Sequence, residues 1–196
     1  MDDQQILAEF EQAKAILKGH FILSSGLHSD TYVQCAKVLT SAKRAEKLCA
    51  ALAKKITTTI GTNAFDLIVS PAMGGVVVGY EMGRQLGCDS LFCERVNGIF
   101  QLRRGFEIKP GTRILVVEDV LTTGKSSLET FKCVEDLGGI VVAEACLIDR
   151  SSADTNINIP LISLIKLNIQ TFTAENIPPH LINIDAIKPG SRFIAN

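Results

Sequence analysis

Residues 114–127 read ILVVEDVLTTGKSS, and the reading of this stretch decides the fold. The apolar run Ile114-Leu115-Val116-Val117 is followed by two adjacent carboxylates, Glu118 and Asp119. After Val120 and Leu121 comes Thr122-Thr123-Gly124-Lys125-Ser126-Ser127. The apolar run predicts a buried strand, and the residues from Ser126 onward predict a helix. The polar residues therefore fall at the carboxyl end of a strand, in a strand-to-helix loop. Open α/β sheets bind their ligands there. Such a loop aims several backbone N–H groups and the positive end of a helix dipole at one point, which suits a phosphate. Gly124 lets the backbone approach an anion closely. Thr122, Thr123, Ser126 and Ser127 add short hydroxyl donors.

Two carboxylates beside a phosphate cradle need a different partner, because like charges repel. Glu118 and Asp119 suit sugar hydroxyls, a Mg²⁺ complex or a developing positive charge. A ribose carrying a 5′-phosphate meets both demands at once. A P-loop would need a glycine at the position of Asp119, and that glycine is absent. The plainer alternative is a strand ending in solvated carboxylates before a capped helix, since acidic residues favour helix starts anyway.

Working outward, an amphipathic helix is expected over about residues 4–18, with Gly19 as its stop. FILSSGLHSDTYVQC (21–35) reads as two short β-like runs around Ser24-Ser25-Gly26, a hairpin or flap. A helix follows over about 41–59, then a buried strand over 65–70. Met73-Gly74-Gly75 opens a second strand-to-helix turn, with a helix running to Leu86 and ending at Gly87. A strand is expected over 89–94, and 95–109 is irregular and arginine-rich. Pro110-Gly111 turns into the strand beginning at Arg113. The helix after the phosphate loop is expected to end near Leu137. A long strand over 140–148 then leads to Asp149-Arg150-Ser151. The tail, with Pro178-Pro179 and Pro189-Gly190, reads as irregular. This alternation argues for an α/β fold, a mostly parallel central sheet flanked by helices.

The chain has 196 residues, 46% hydrophobic and 21% charged, which suits one globular domain over 1–196. A formal net charge of −1 gives no general attraction to nucleic acid or an anionic membrane. No apolar run approaches the roughly 20 residues of a membrane span, and the acidic start Met1-Asp2-Asp3 is unlike a signal peptide. The six cysteines (Cys35, Cys49, Cys88, Cys93, Cys133 and Cys146) are scattered without a C-x-x-C pair. They read as reduced core residues of a cytoplasmic protein, with neither nucleic acid nor membrane as partner.

VVEDVLTTGKSS resembles the phosphoribosyl-pyrophosphate (PRPP) motif of the type I phosphoribosyltransferases, with Glu-Asp where many relatives have Asp-Asp. The similarity extends over about residues 16–192. GHFILSSGLHSDTY, SPAMGGVVVGYE, CERVNGIFQLRRGF and IDRS are similar to segments of the orotate phosphoribosyltransferases. The resemblance implies the type I fold, with a small hood from about 19–36 and 160–196. It implies transfer of the 5-phosphoribosyl group from PRPP to orotate in pyrimidine (UMP) synthesis. The products would be orotidine 5′-monophosphate and pyrophosphate. Mg²⁺ would be the cofactor, held mainly by PRPP and water near Glu118 and Asp119 and not directly ligated. A homodimer is implied as well.

Residue by residue, PRPP would meet Glu118, Asp119, Val120, Leu121, Thr122, Thr123, Gly124, Lys125 and Ser126. Its pyrophosphate would lie on Met73, Gly74 and Gly75. Some relatives place a lysine at the position of Gly74, so here that contact would rest on N–H groups. Arg95, Arg103 and Arg104 lie in a segment that the resemblance makes a mobile loop closing over pyrophosphate. A solvated hairpin is the plainer reading. Glu118 and Asp119, with Arg103 and Arg104, would be the catalytic groups. Arg150 would grip the orotate carboxylate through paired hydrogen bonds; otherwise it is a surface arginine paired with Asp149 or Asp154. Thr122, Ser25 and Gly26 would complete the orotate site, with Tyr32 and Phe21 as candidate covers. The other readings are a phosphoribosyltransferase for another base and a PRPP-binding regulator without turnover.

Overall fold

A computed structural model describes residues 1–23, 25–151 and 155–189. Ser24, Asp154, Gly190 and Arg192 lie outside the described residues. Helix α1 (Asp3–Gln12) starts with a capping box. The Asp2 carboxylate accepts the Gln5 N–H at 2.8 Å, and the Gln5 side chain accepts the Asp2 N–H at 3.2 Å. It ends six residues earlier than the apolar spacing suggests. Lys14 turns the chain at φ 52°, and Ile16 and Leu17 then pair with Val33 and Tyr32. These residues belong to strand β1 (Ile16–Ile22), which forms an antiparallel hairpin with β2 (His28–Val33). Gly19 therefore lies inside a strand and stops no helix. Sheet pairing used the same apolar residues that the helical spacing had counted.

The hairpin is tied to the chain's tail. His20 Nδ1 lies 2.9 Å from the Ile184 carbonyl, and His20 Nε2 lies 2.6 Å from His28 Nδ1. Single bridges join Phe21 to Ile187 and His28 to Phe172. Both histidines are buried and occupied in this joint.

A short helix, α2 (Cys35–Leu39), precedes α3 (Ala42–Ile60), which is capped by the Ser41 hydroxyl. Leu48, Leu52 and Ile56 form the inner stripe of α3 and are fully buried. Each such side chain is worth about 1.5–3 kcal/mol relative to exposure. The parallel sheet then begins with β3 (Leu67–Pro71), followed by α4 (Gly74–Leu86), with Gly87 in the left-handed conformation at its end. Strand β4 (Ser90–Val96) returns directly as β5 (Ile99–Leu102). The segment expected to be irregular is thus partly an antiparallel hairpin with Val96 opposite Ile99. Asn97 and Gly98 form its turn at φ 50° and 85°, the positive values that a two-residue hairpin turn needs.

Strand β6 (Arg113–Leu121), helix α5 (Lys125–Glu135), strand β7 (Ile140–Asp149) and strand β8 (Leu161–Lys166) complete the sheet. Helix α6 (Pro179–Ile182) lies in the tail. The sheet order is β5-β4-β3-β6-β7-β8, parallel except for β5. Strand β8 corrects the expected irregular tail: Leu161 to Lys166 lies in the main sheet, inside the span expected to serve the hood. The run LISLIK is short and was masked by its irregular surroundings. Lys55 of α3 donates to the Ser163 and Leu164 carbonyls of this edge strand at 3.0 and 2.9 Å. Among the described residues no helix is long and apolar enough to cross a membrane.

Side chains alternate along β6 and divide the core. Leu115 and Val117 pack with α3 and α4 through Leu48, Leu52, Val78 and Met82. Ile114 and Val116 pack with α5 through Phe131 and Val134. This alternation sets the direction of the two carboxylates that follow.

Candidate active site

The chain moves from β3 to β4 on one side and later returns to place β6 on the other side of β3. The carboxyl ends of β3 and β6 therefore meet at a topological switch point, where a crevice opens between their loops. Each strand runs into a helix start that lacks a side-chain cap. Met73 precedes α4, and Gly124, at φ 73°, precedes α5. At the α5 start the Lys125 N–H donates to the Thr123 hydroxyl at 3.4 Å, and at the α4 start the Val76 N–H donates to the Met73 carbonyl at 3.2 Å; the other first-turn N–H groups have no side-chain acceptor among the described residues. Gly124 is buried, and a Cβ there would sit 3.0 Å from Thr155. Thr122 and Thr123 are exposed at the loop's crest, as is Lys125, while Ser126 is half-buried.

Strand β6 continues through Leu121, so Glu118 and Asp119 lie on the strand and not in the loop. As neighbours on a strand they point to opposite faces. Asp119 faces α4. A Cβ added to Gly74 would lie 2.6 Å from its Oδ1, so the turn accepts the carboxylate only because residue 74 has no side chain. Burial pushes the Asp119 carboxyl above the usual carboxylate range. Glu118 faces α5 and is only 8% exposed. Its Oε2 accepts from the Ser127 hydroxyl at 3.2 Å. Burial, then the neighbouring Glu144 and Asp119, push its carboxyl up to about 8. The two acids read together in the sequence are therefore separated by the sheet. Val120 is half-buried and Leu121 fully buried, serving as packing beneath the loop.

Arg150 follows β7, and its N–H donates to the Leu121 carbonyl at 2.8 Å, which places it beside the β6 end. Its guanidinium is drawn inward, and burial lowers its pKa. Nε is buried without a hydrogen-bond partner, and Arg150 has no ion pair among the described residues. The expected local partner, Asp149, is engaged elsewhere. It pairs with Lys166 at 3.1 Å and accepts the Ser151 N–H at 2.7 Å. Tyr32 of the hairpin lies close enough for its ionised form to act on Arg150, and its ring is 5.8 Å from that of Phe21. Phe21 is buried as packing, whereas Tyr32 is half-buried. Ser25 and Gly26 form the exposed hairpin tip, where Ser25 Oγ accepts the Leu27 N–H at 3.4 Å. They are not brought against Arg150 by any described contact.

The arginines of the β4–β5 region differ from one another. Arg95 pairs with Glu129 of α5, donates to the Gly98 carbonyl at 2.7 Å and lies over Phe100. Arg104 pairs with Glu94 through Nε at 2.9 Å and Nη2 at 2.7 Å. Arg103 is exposed and has no ion pair among the described residues.

Glu144 of β7 is a buried acid that the sequence reading did not single out. It accepts from Ser127 at 2.6 Å. A lone glutamate inside the apolar run IVVAEACLI is the signal that could have found it.

Comparison with known proteins agrees with this geometry. Residues 36–181 match the phosphoribosyl transferase domain family. The chain is 53% identical over 196 residues to an orotate phosphoribosyltransferase of Sphingopyxis alaskensis, covering 100% of both chains. It is 52% identical to one of Rhizorhabdus wittichii, covering 98% of this chain and 97% of that one. Its fold resembles the crystal structure of orotate phosphoribosyltransferase from Aeropyrum pernix, with a TM-score of 0.71 at 22% identity over 83% of this chain and 93% of that chain. A neighbour from Mycobacterium tuberculosis gives a TM-score of 0.63 at 21% identity, over 84% and 96% of the two chains. The chain belongs to the phosphoribosyltransferase family, in its orotate phosphoribosyltransferase branch.

Proposed function

We propose that the chain transfers the 5-phosphoribosyl group of PRPP to orotate, giving orotidine 5′-monophosphate and pyrophosphate. The observation that carries this reading is the meeting of two uncapped helix starts and Asp119 at the β3–β6 switch point. The α5 start would hold the 5′-phosphate, and the Gly74-Gly75 turn the pyrophosphate, through backbone N–H groups. Asp119 would accept from the ribose hydroxyls and stabilise positive charge on the ring as the bond to pyrophosphate loosens. Orotate is already an anion, so orientation and charge account for the chemistry without a dedicated base.

The oxygen donors near the loop suit a hard cation that arrives with its substrate. Among the described residues no three acidic, histidine or cysteine side chains gather as a cation cage. Mg²⁺ bound to PRPP would offset pyrophosphate charge, with the protein meeting it through water beside Glu118 and Asp119. Arg103 is the arginine we assign to the leaving group, because Arg95 and Arg104 are engaged by Glu129 and Glu94.

Arg150 selects the base. An inward guanidinium with an unpartnered Nε needs an acceptor, and the carboxylate of orotate supplies one that adenine or uracil lacks. A homodimer is supported by the exposed apolar residues Met73, Val77 and Tyr80 along the first turns of α4. The test is loss of orotate absorbance on adding PRPP and MgCl₂ to the purified protein. The loss should require PRPP and stop with EDTA. Pyrophosphate release with another base, and none with orotate, would move the substrate while leaving the fold assignment intact.

A further inference from the structure

We propose that Glu144 is a positioning residue for this site: it holds Glu118 through Ser127, and the two carboxyl groups share a single proton across that hydroxyl at neutral pH. The geometry supplies the reason. Ser127 Oγ lies 2.6 Å from Glu144 Oε1 and 3.2 Å from Glu118 Oε2. A serine hydroxyl has one hydrogen to donate and lone pairs to accept with. Two ionised carboxylates cannot both receive that hydrogen. One proton on Glu118 resolves the arrangement. Glu118 donates to Ser127, and Ser127 donates to an anionic Glu144 through the shorter contact, as charge-assisted bonds are shorter.

The surroundings agree. Glu144 and Ser127 are fully buried, and Glu144 Oε2 has no partner, so ionising both acids together is opposed twice. The charged groups acting on the pair are Asp119 from β6 and Asp149 from β7, both acidic. Cys146 lies near them on β7 with its thiol pushed well up, and α5 contributes the Ser127 hydroxyl. Burial raises both carboxyls, Glu144 to about 7 and Glu118 to about 8, which fits one proton kept by the pair at neutral pH.

The consequence for the substrate rests on the ribose-phosphate reading of the β6–α5 loop. Of the two acids in VVED only Asp119 is then charged, and the pair's own negative charge is held on Glu144, farther from the carboxyl end of β6. A phosphate can sit at the α5 start with Asp119 as the nearby anion and Glu118 as a neutral acid beneath it.

The experiment is ¹³C NMR of the substrate-free protein labelled at the glutamate carboxyl carbons. Two resonances should titrate well above the ordinary glutamate range of about 4–5. Glu144→Gln should remove one and bring the Glu118 resonance down, because the neighbouring charge is gone. Ser127→Ala should move the Glu144 resonance up, because its ionised form loses the donor, and this variant serves if the first fails to fold. All glutamates titrating in the ordinary range, a Glu118 resonance unmoved by Glu144→Gln, or a Glu144 resonance unmoved by Ser127→Ala, would overturn the shared proton. In turnover, Glu144→Gln should raise the KM for PRPP about tenfold at neutral pH, because the pair's one negative charge moves from Glu144 to Glu118, nearer the carboxyl end of β6. The difference should close at lower pH. A PRPP KM unchanged by Glu144→Gln would overturn the positioning role. A chain that shows the expected titration without consuming orotate would keep the shared proton and discard the transferase reading.

Discussion

The carboxyl end of β6 and the β4–β5 hairpin carry charges of opposite sign and are built in opposite ways. The strand end lies in the middle of the sheet, with Ile114 to Val117 wholly inaccessible beneath it. Its acids are fixed by partners inside the fold. The hairpin lies at the sheet's edge, and its arginines are exposed, held by surface ion pairs or by none. Surface pairs are worth at most about 1 kcal/mol, so they release easily. Parts that bind a substrate before and after reaction gain from rigidity. Parts that must follow a departing pyrophosphate gain from a weak hold.

The largest expected effect tests the loose half. Arg103→Ala should slow kcat about a thousandfold if its charge acts on the leaving group alone, a loss of roughly 4 kcal/mol. Its melting temperature should not move. A large fall in stability with kcat intact would reverse the contrast. Arg150→Ala should come next, lowering kcat/KM for orotate about a hundredfold, near 3 kcal/mol, while PRPP binding measured by calorimetry stays within about twofold. Unchanged orotate kinetics would remove that residue from base recognition.

Gly74→Ala probes the rigid half. The new Cβ would push the Asp119 carboxylate aside, so activity should fall about tenfold. Full activity would mean that Asp119 tolerates displacement. The smallest effect is on stability with pH. Glu118 and Glu144 ionise less readily in the fold, at about 8 and about 7, than at the ordinary 4.5. Their contribution is therefore complete below 4.5 and is lost as pH rises through 7 and 8. Thermal melts across that window should show a falling midpoint that Glu118→Gln flattens. An equal slope in the variant would assign the pH dependence to other groups.

Much of this architecture could be read from local sequence. Ile114 to Ser127 declared a buried strand, a carboxylate pair and a glycine-opened helix, because each signal lies within one turn or one strand. Ser41 and Gly87 marked helix ends for the same reason. Long-range choices were hidden. Ile16 and Leu17 satisfy a helical spacing as well as a strand, and only pairing with Val33 and Tyr32 decides between them. The direction of Glu118 away from Asp119 follows from strand β6 outlasting its apolar run by four residues. The engagement of Arg95 and Arg104 depends on Glu129 and Glu94, which no spacing rule connects to them. The Asn97-Gly98 turn, by contrast, was available in the sequence and shows that part of the arginine segment is ordered as a hairpin.

The contact between Lys55 and β8 has a consequence for the crowded life of the chain. An edge strand is a template on which a second molecule can polymerise. With the Ser163 and Leu164 carbonyls already engaged by an ammonium group, an incoming strand would meet a charge at the middle of this edge. The opposite edge, β5, is only four residues long. The sheet thus has a charge at one border and a short strand at the other, both features that disfavour growth into fibres.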